Sequence, residues 1–167
     1  MDSAKLNDWM QVIGIFALVA SLIFVGLQMK QDHEIARAAQ FQQRVEVALV
    51  LWDGYAESEY DVLRLGNRLL QDPDWDGILG DAATPATYGD AYISARKTFV
   101  VLENHHYQYS LGFYDDETWS MFREQTRRYL ASDKFARTLI RENKGILRPS
   151  FLKLCEQMIR EFELDDS

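Results

Sequence analysis

The sequence predicts an all-α protein: one N-terminal transmembrane helix followed by an irregular antiparallel helical bundle. Three observations carry that prediction. Residues Trp9 to Met29 hold no charged side chain. Beyond them, apolar residues recur at three- and four-residue intervals, the period of a helix face. No segment alternates apolar and polar residues over the length that a half-buried strand would need.

The first segment reads WMQVIGIFALVASLIFVGLQM, 21 residues. At 1.5 Å per residue a helix of this length spans about 31 Å, the thickness of a hydrocarbon core. Trp9 stands at one end, where an amphipathic ring prefers the headgroup level, and Lys30 closes the other and can snorkel. A cleaved signal peptide needs a basic start and small residues before the cut. Here Lys5 is offset by Asp2 and Asp8, and the run ends in Val25-Gly26-Leu27-Gln28, so an uncleaved span is expected. Residues 1–8 are then a short flank, 9–29 the transmembrane helix and 30–167 a soluble helical domain. Lys30, Arg37 and Arg44 outweigh Lys5 and the α-amine, which directs the domain to the cytoplasmic side. Gly14, Ala17 and Ser21 lie three and four residues apart, a spacing that lets a second lipid-embedded helix approach closely.

Asp32 to Gln71 holds no proline, and Ile35, Ala38, Val45, Leu49, Trp52, Ala56, Leu63 and Leu70 form one stripe. Gln42, Glu59 and Gly66 fall on that stripe and weaken it. The pattern predicts a long amphipathic helix that continues the span and can break near Asp53-Gly54. Such a stripe normally packs on its own domain; a parallel coiled coil between protomers is the alternative. Residues 72–84, DPDWDGILGDAAT, form a turn-rich linker. Thr84 followed by Pro85 reads as an N-cap with proline at the first helical position. The helix it opens runs to Tyr109, with Tyr88, Tyr92, Ala95, Phe99, Leu102, His106 and Tyr109 as its apolar stripe. Asp115 or Asp116 caps a helix carrying Trp119, Phe122 and Tyr129. Ser132 caps another that ends near Gly145. Pro149-Ser150 opens a last helix with Leu154, Cys155, Met158, Ile159 and Phe162, before the acidic tail ELDDS.

Of the 167 residues, 47% are hydrophobic and 26% charged, enough to bury a core. The net charge of −8 disfavours nucleic acid and other phosphate-rich partners. Cys155 is the single cysteine, so no internal disulfide forms, and its apolar helical setting reads as a small core residue rather than a catalytic thiol.

The arrangement resembles a broad group of uncharacterised bacterial single-span membrane proteins with a C-terminal helical domain. The likeness rests on FVGLQMKQDHEIARAAQFQ at the end of the span, on ENHHYQYSLGFYDDETW, and on RENKGILRPSFLKL. It implies a bacterial cytoplasmic (inner) membrane and the same architecture, and brings no activity, cofactor or catalytic residue with it.

Two clusters could hold metal. Glu103 and His106 are three apart on one helix face, the half-site of a carboxylate-bridged di-metal centre. Glu46, Glu57, Glu59, Glu117 and Glu124 could supply further ligands, but the chain has no second Glu-x-x-His. The simpler account buries His106 in the core and pairs Glu103 with an arginine such as Arg127 or Arg128. Asp72, Asp74 and Asp76 with Gly77 match positions 1, 3, 5 and 6 of a calcium-binding EF-hand loop. Position 12, however, is Ala83 where a bidentate glutamate belongs, so the stretch reads equally as an acidic turn. The aromatic run Tyr107, Tyr109, Phe113, Tyr114 and Trp119 could line a lipid pocket or simply pack. Arg127, Arg128, Lys134, Arg137 and Arg141 could face anionic headgroups or solvent.

No phosphate loop, dinucleotide fingerprint, nucleophile elbow or zinc-protease helix occurs in the sequence. The leading expectation is therefore a membrane-anchored helical module that self-associates or binds another membrane protein, with the lipid bilayer as its first partner and no cofactor. A membrane-attached metalloprotein and a subunit of an oligomeric channel are the competing expectations.

Overall fold

A computed structural model describes the backbone of residues 3–142 and 145–165, with the side chains of residues 9–142 and 145–163. Asp2 and the end of the acidic tail lie outside the described residues, as do residues 143 and 144 of RENKGILRPSFLKL and the side chains of Lys5 and Asp8. The described residues form six α-helices: α1 (Ser3–Glu57), α2 (Glu59–Leu70), α3 (Pro85–Ser110), α4 (Asp116–Ser132), α5 (Lys134–Glu142) and α6 (Pro149–Asp165). A single 3-10 turn, Pro73–Trp75, separates α2 from α3. The chain divides into two compact units, Met1–Gln40 and Phe41–Ser167, with the boundary inside α1.

In the first unit, α1 carries a stretch long and apolar enough to cross a membrane, its most apolar 18 residues having a mean hydropathy of 2.4. Every side chain from Trp9 to Met29 is exposed on all sides.

The second unit is the helical bundle. The break in the predicted long helix falls at Ser58 rather than near Asp53-Gly54. Ser58 leaves the helical conformation and its hydroxyl accepts the Asp61 backbone N–H, so it caps α2. A new helix start resets the register. Before the break Val45 is buried and Trp52 half-buried, as the stripe requires, while Ala56 is exposed; after it Leu63 and Leu70 face outward. Val62, Gly66 and Leu69 form the buried face of α2 instead.

α2 and α3 approach so closely that side chains are excluded at two points. A Cβ on Gly66 would stand 1.6 Å from the Pro85 carbonyl oxygen, and one on Gly89 would stand 2.1 Å from that of Val62. Both obstacles are backbone, which yields little.

The stretch between α2 and α3 is more than a linker. Asp72 caps the 3-10 turn by accepting the Asp74 N–H at 3.1 Å. The turn drives Trp75 into the core, where it is 2% exposed and packs on Phe135 with ring centroids 4.7 Å apart. The Tyr88 hydroxyl donates to the Trp75 carbonyl at 2.8 Å and so ties the turn to α3.

Thr84 caps α3 in a capping box with Thr87, and Pro85 occupies the first turn. Tyr88, Tyr92, Ala95, Phe99 and Leu102 are buried along α3 as their spacing predicts. Asp115 caps α4 through the Thr118 N–H at 2.7 Å. At the next junction Asp133, not Ser132, caps α5 by accepting the Ala136 N–H at 3.1 Å. Ser132 is the last residue of α4, and its hydroxyl bonds back to the Tyr129 carbonyl. α5 ends at Glu142, ahead of Gly145. Phe151, Cys155 and Met158 of α6 close the core against Leu130, Leu139 and Ile140.

The glycine contacts make opposite predictions for similar substitutions. Gly66→Ala and Gly89→Ala should each cost about 1–3 kcal/mol through overpacking. Gly54→Ala, where an added Cβ meets nothing within 4 Å, should stabilise by about 0.5–1 kcal/mol through helix propensity. Thermal unfolding followed by circular dichroism in detergent measures both signs.

Candidate functional site

The polar groups with the most unusual surroundings lie along one face of α3. Arg96 and Glu103, two turns apart, are 6% and 8% exposed. The Arg96 guanidinium lies over the Trp52 ring, 5.5 Å from its centroid. Its Nε has no hydrogen-bond partner among the described residues. Burial pulls the Arg96 pKa down from its ordinary value, and Tyr92 and Glu103 oppose that shift.

Glu103 Oε1 accepts the backbone N–H of Arg148 at 2.6 Å, a short charge-assisted bond spanning 45 residues. Burial pushes the Glu103 carboxyl above the usual range, against the Arg148 hydrogen bond and the Arg148 and Arg96 charges. The Arg148 side chain turns away to stack on two rings, 3.8 Å from the Tyr107 centroid and 4.3 Å from that of Phe41. Those rings are themselves in contact, with centroids 4.5 Å apart. Glu103 and Arg148 together hold the start of α6 against α3, and the Arg148 guanidinium carries that hold to α1. Glu103 thus meets Arg148, while Arg127 and Arg128 both pair with Glu124, whose carboxyl they lower to about 2.

His106 points to the interior side, between Trp119 and Phe151, with both ring centroids 5.6 Å away. Its Nδ1 is buried without a hydrogen-bond partner among the described residues. Burial lowers its pKa, and the nearby Arg148 charge lowers it further. His105 diverges from it, stacked on Phe122 with centroids 3.6 Å apart and its Nδ1 3.2 Å from the Tyr114 hydroxyl. Its pKa is also lowered by burial. Adjacent in sequence, the two imidazoles serve different neighbours.

The remaining candidates are placed as follows. Asp72 is half-buried and caps its turn, while Asp74 and Asp76 are exposed. No group of three or more His, Cys, Asp or Glu side chains converges to hold a metal ion among the described residues. Gly14, Ala17 and Ser21 are exposed on α1, and a Cβ added at Gly14 meets nothing within 4 Å. The aromatic run divides among several neighbours: Tyr109 stacks on Trp119 with centroids 4.8 Å apart and donates to Asp116 at 2.9 Å, Tyr107 packs on Phe41, Tyr114 lies beside Phe122, and Phe113 is exposed. Arg137 donates to the Leu130 and Ala131 carbonyls at the end of α4, and Arg141 pairs with Glu163. Burial drives the Cys155 thiol up to about 12, with Glu103 and Glu156 adding to the shift. It therefore stays a protonated, unreactive core group at neutral pH.

Chemically, the α3 face is a lock. It holds helices together through buried polar contacts, and its carboxylate is already occupied by a backbone donor. Arg96 and Arg148 escaped the sequence reading. A charge set between Ala95 and Phe99 on an apolar stripe was the available signal for Arg96, whereas Arg148 acts through its backbone and gave none. Comparison of the chain with protein-family models, with curated proteins and with solved structures found no match.

His105 and His106 set a pH dependence. Their folded-state pKa values lie below the unfolded value of about 6.5, so the unfolded chain takes up protons first on acidification. Their stabilising share is complete above about pH 6.5 and is lost as pH falls through the folded values. The melting temperature should therefore drop between pH 7.5 and pH 5.5, and the drop should shrink in His106→Phe. Glu103→Ala should cost about 1–3 kcal/mol at neutral pH by leaving the Arg148 N–H without its acceptor. Glu103→Gln, which keeps an acceptor oxygen, should cost less in the same unfolding measurement.

Proposed function

We propose that this chain is a membrane-anchored helical module of a bacterial cytoplasmic membrane, with its bundle on the cytoplasmic side, acting in self-association or in binding another membrane protein. One observation carries the reading. The side chains from Trp9 to Met29 are apolar almost throughout and exposed on every side among the described residues. About 20 such residues suit a bilayer far better than an aqueous setting. The orientation follows Lys30, Arg37 and Arg44 on the bundle side of the span.

Interaction, rather than catalysis, is supported by how the polar groups are used. Glu103 is engaged by a backbone donor, His106 sits between two rings, and the Cys155 thiol is buried and protonated. The open surface at Gly14, with Ala17 and Ser21 on the following turns, supports contact with a second helix within the membrane.

The full chain should stay in the membrane fraction through alkaline carbonate extraction, and a variant lacking residues 9–29 should appear in the supernatant. Release of the full chain by carbonate would sink the anchoring proposal. In mild detergent, Gly14→Leu and Ser21→Leu should reduce the oligomer seen by light scattering; an unchanged mass would count against the small-residue seam.

A further inference from the structure

The sequence contains two Asp-Gly steps, Asp53-Gly54 and Asp76-Gly77, and the fold treats them oppositely. Asp76 has φ −61° and ψ 132°, Gly77 has φ 64°, and the Ile78 N–H donates to the Trp75 carbonyl at 3.4 Å. These values define a type II turn with Asp76 and Gly77 at its centre, where the positive φ calls for glycine. The peptide N–H between the two central residues of such a turn points away from it. That of Gly77 makes no hydrogen bond among the described residues. Both residues are exposed.

Gly54, by contrast, lies inside α1, where a backbone N–H is committed to the carbonyl four residues earlier, and the Asp53 carboxylate is held by Lys97. The aspartates around Asp76 are also protected. Asp72 precedes Pro73, which has no N–H. Asp74 precedes Trp75, whose N–H donates to the Asp72 carbonyl at 3.0 Å. Asp81 precedes Ala82, whose Cβ crowds the nitrogen. Asp76 is the one in this stretch with an exposed carboxyl beside an unhindered, uncommitted backbone nitrogen.

We propose that Asp76-Gly77 is a site of self-modification, where the chain closes to a succinimide and reopens to isoaspartate with water as its only co-reactant. The Gly77 nitrogen attacks Cγ of the Asp76 carboxyl. The N–Cγ bond forms, a Cγ–O bond breaks, and the N–H proton leaves with the hydroxyl as water. Water then adds to one carbonyl of the five-membered imide. Opening at Cγ restores aspartate; opening at the backbone carbonyl leaves Gly77 joined to Cγ and the main chain running through Cβ. Nothing is oxidised or reduced. Ring closure requires rotation about the Asp76 ψ, and the bond across the turn, at 3.4 Å, is long and opposes that rotation little. The change reaches the core through Tyr88. Its hydroxyl donates to the Trp75 carbonyl at 2.8 Å and accepts the Leu79 N–H at 3.5 Å, so it spans both ends of the turn. Isoaspartate adds one atom to the main chain between those ends and loosens the seat of Trp75.

The test ages the full chain in detergent and maps its peptides by mass spectrometry, reading succinimide as the loss of one water and isoaspartate by its separate elution. In the folded chain, modification at Asp76 should proceed at least tenfold faster than at Asp53. In denaturant the two sites should react at similar rates, since the fold alone distinguishes them. Asp76→Glu keeps the charge on an exposed side chain but cannot close the five-membered ring. It should start with the melting temperature of the wild type and hold it on ageing, while that of the wild type falls as isoaspartate accumulates. Equal rates at Asp53 and Asp76 in the folded chain, or no modification at Asp76 where the unfolded chain reacts, would overturn the site. A wild-type chain that carries isoaspartate at position 76 and melts unchanged would overturn its coupling to Trp75.

Discussion

The contact of α2 with α3 through Gly66 and Gly89 is the constraint on which the rest of the bundle depends. Hydrophobic packing alone would hold two helices apart by the thickness of their side chains. Here the backbones meet, since an added Cβ at either glycine would overlap a carbonyl oxygen. That closeness sets the path of residues 71–84, which must turn within a short distance to join two nearly touching helices. The 3-10 turn achieves this and places Trp75 where Tyr88 can hold its carbonyl and Phe135 can pack on its ring. Through Trp75 the helix pair is connected to α5, and through Phe99 and Leu102 to the rest of the core.

The second organising element is polar. Burying a carboxylate costs free energy, and Glu103 recovers part of it by accepting the Arg148 N–H and by lying near two guanidinium groups. Neither an apolar residue nor a surface salt bridge would fix the start of α6 with the same directionality. Arg148 completes the arrangement by laying its cation on Tyr107 and Phe41, so one residue links three helices by two kinds of contact. His106 and Arg96 add buried nitrogens that lack partners among the described residues. Burial lowers the pKa of both groups.

Much of the fold was legible in the residues. The uncharged run from Trp9 to Met29 was legible as a helix long and apolar enough to cross a membrane, since a helix satisfies its backbone hydrogen bonds within its own segment. Thr84-Pro85 and Asp115 announced the starts of α3 and α4, since capping is a local interaction among residues three apart. The tyrosines and aliphatic residues of α3 declared their buried face by period alone. The break at Ser58 was less visible. A serine inside a helical pattern has no obligation to cap, and its choice to do so shifted the inward face of α2 onto Val62, Gly66 and Leu69.

Local chemistry, then, determined which segments are helical, where most of them start, and which segment is fit for a membrane. The first two depend on neighbours within four residues along the chain, the last on an unbroken apolar run of about 20 residues. Tertiary structure alone decided that Gly66, a weakness in a stripe, is a point of closest approach, and that Trp75 in an acidic turn is a core residue. It also decided that Glu103 answers to Arg148 rather than to Arg127 or Arg128. Those outcomes depend on residues far apart in sequence, and on a backbone N–H that every residue but proline possesses. No side-chain pattern marks such a donor in advance; only the folded path of the chain selects it.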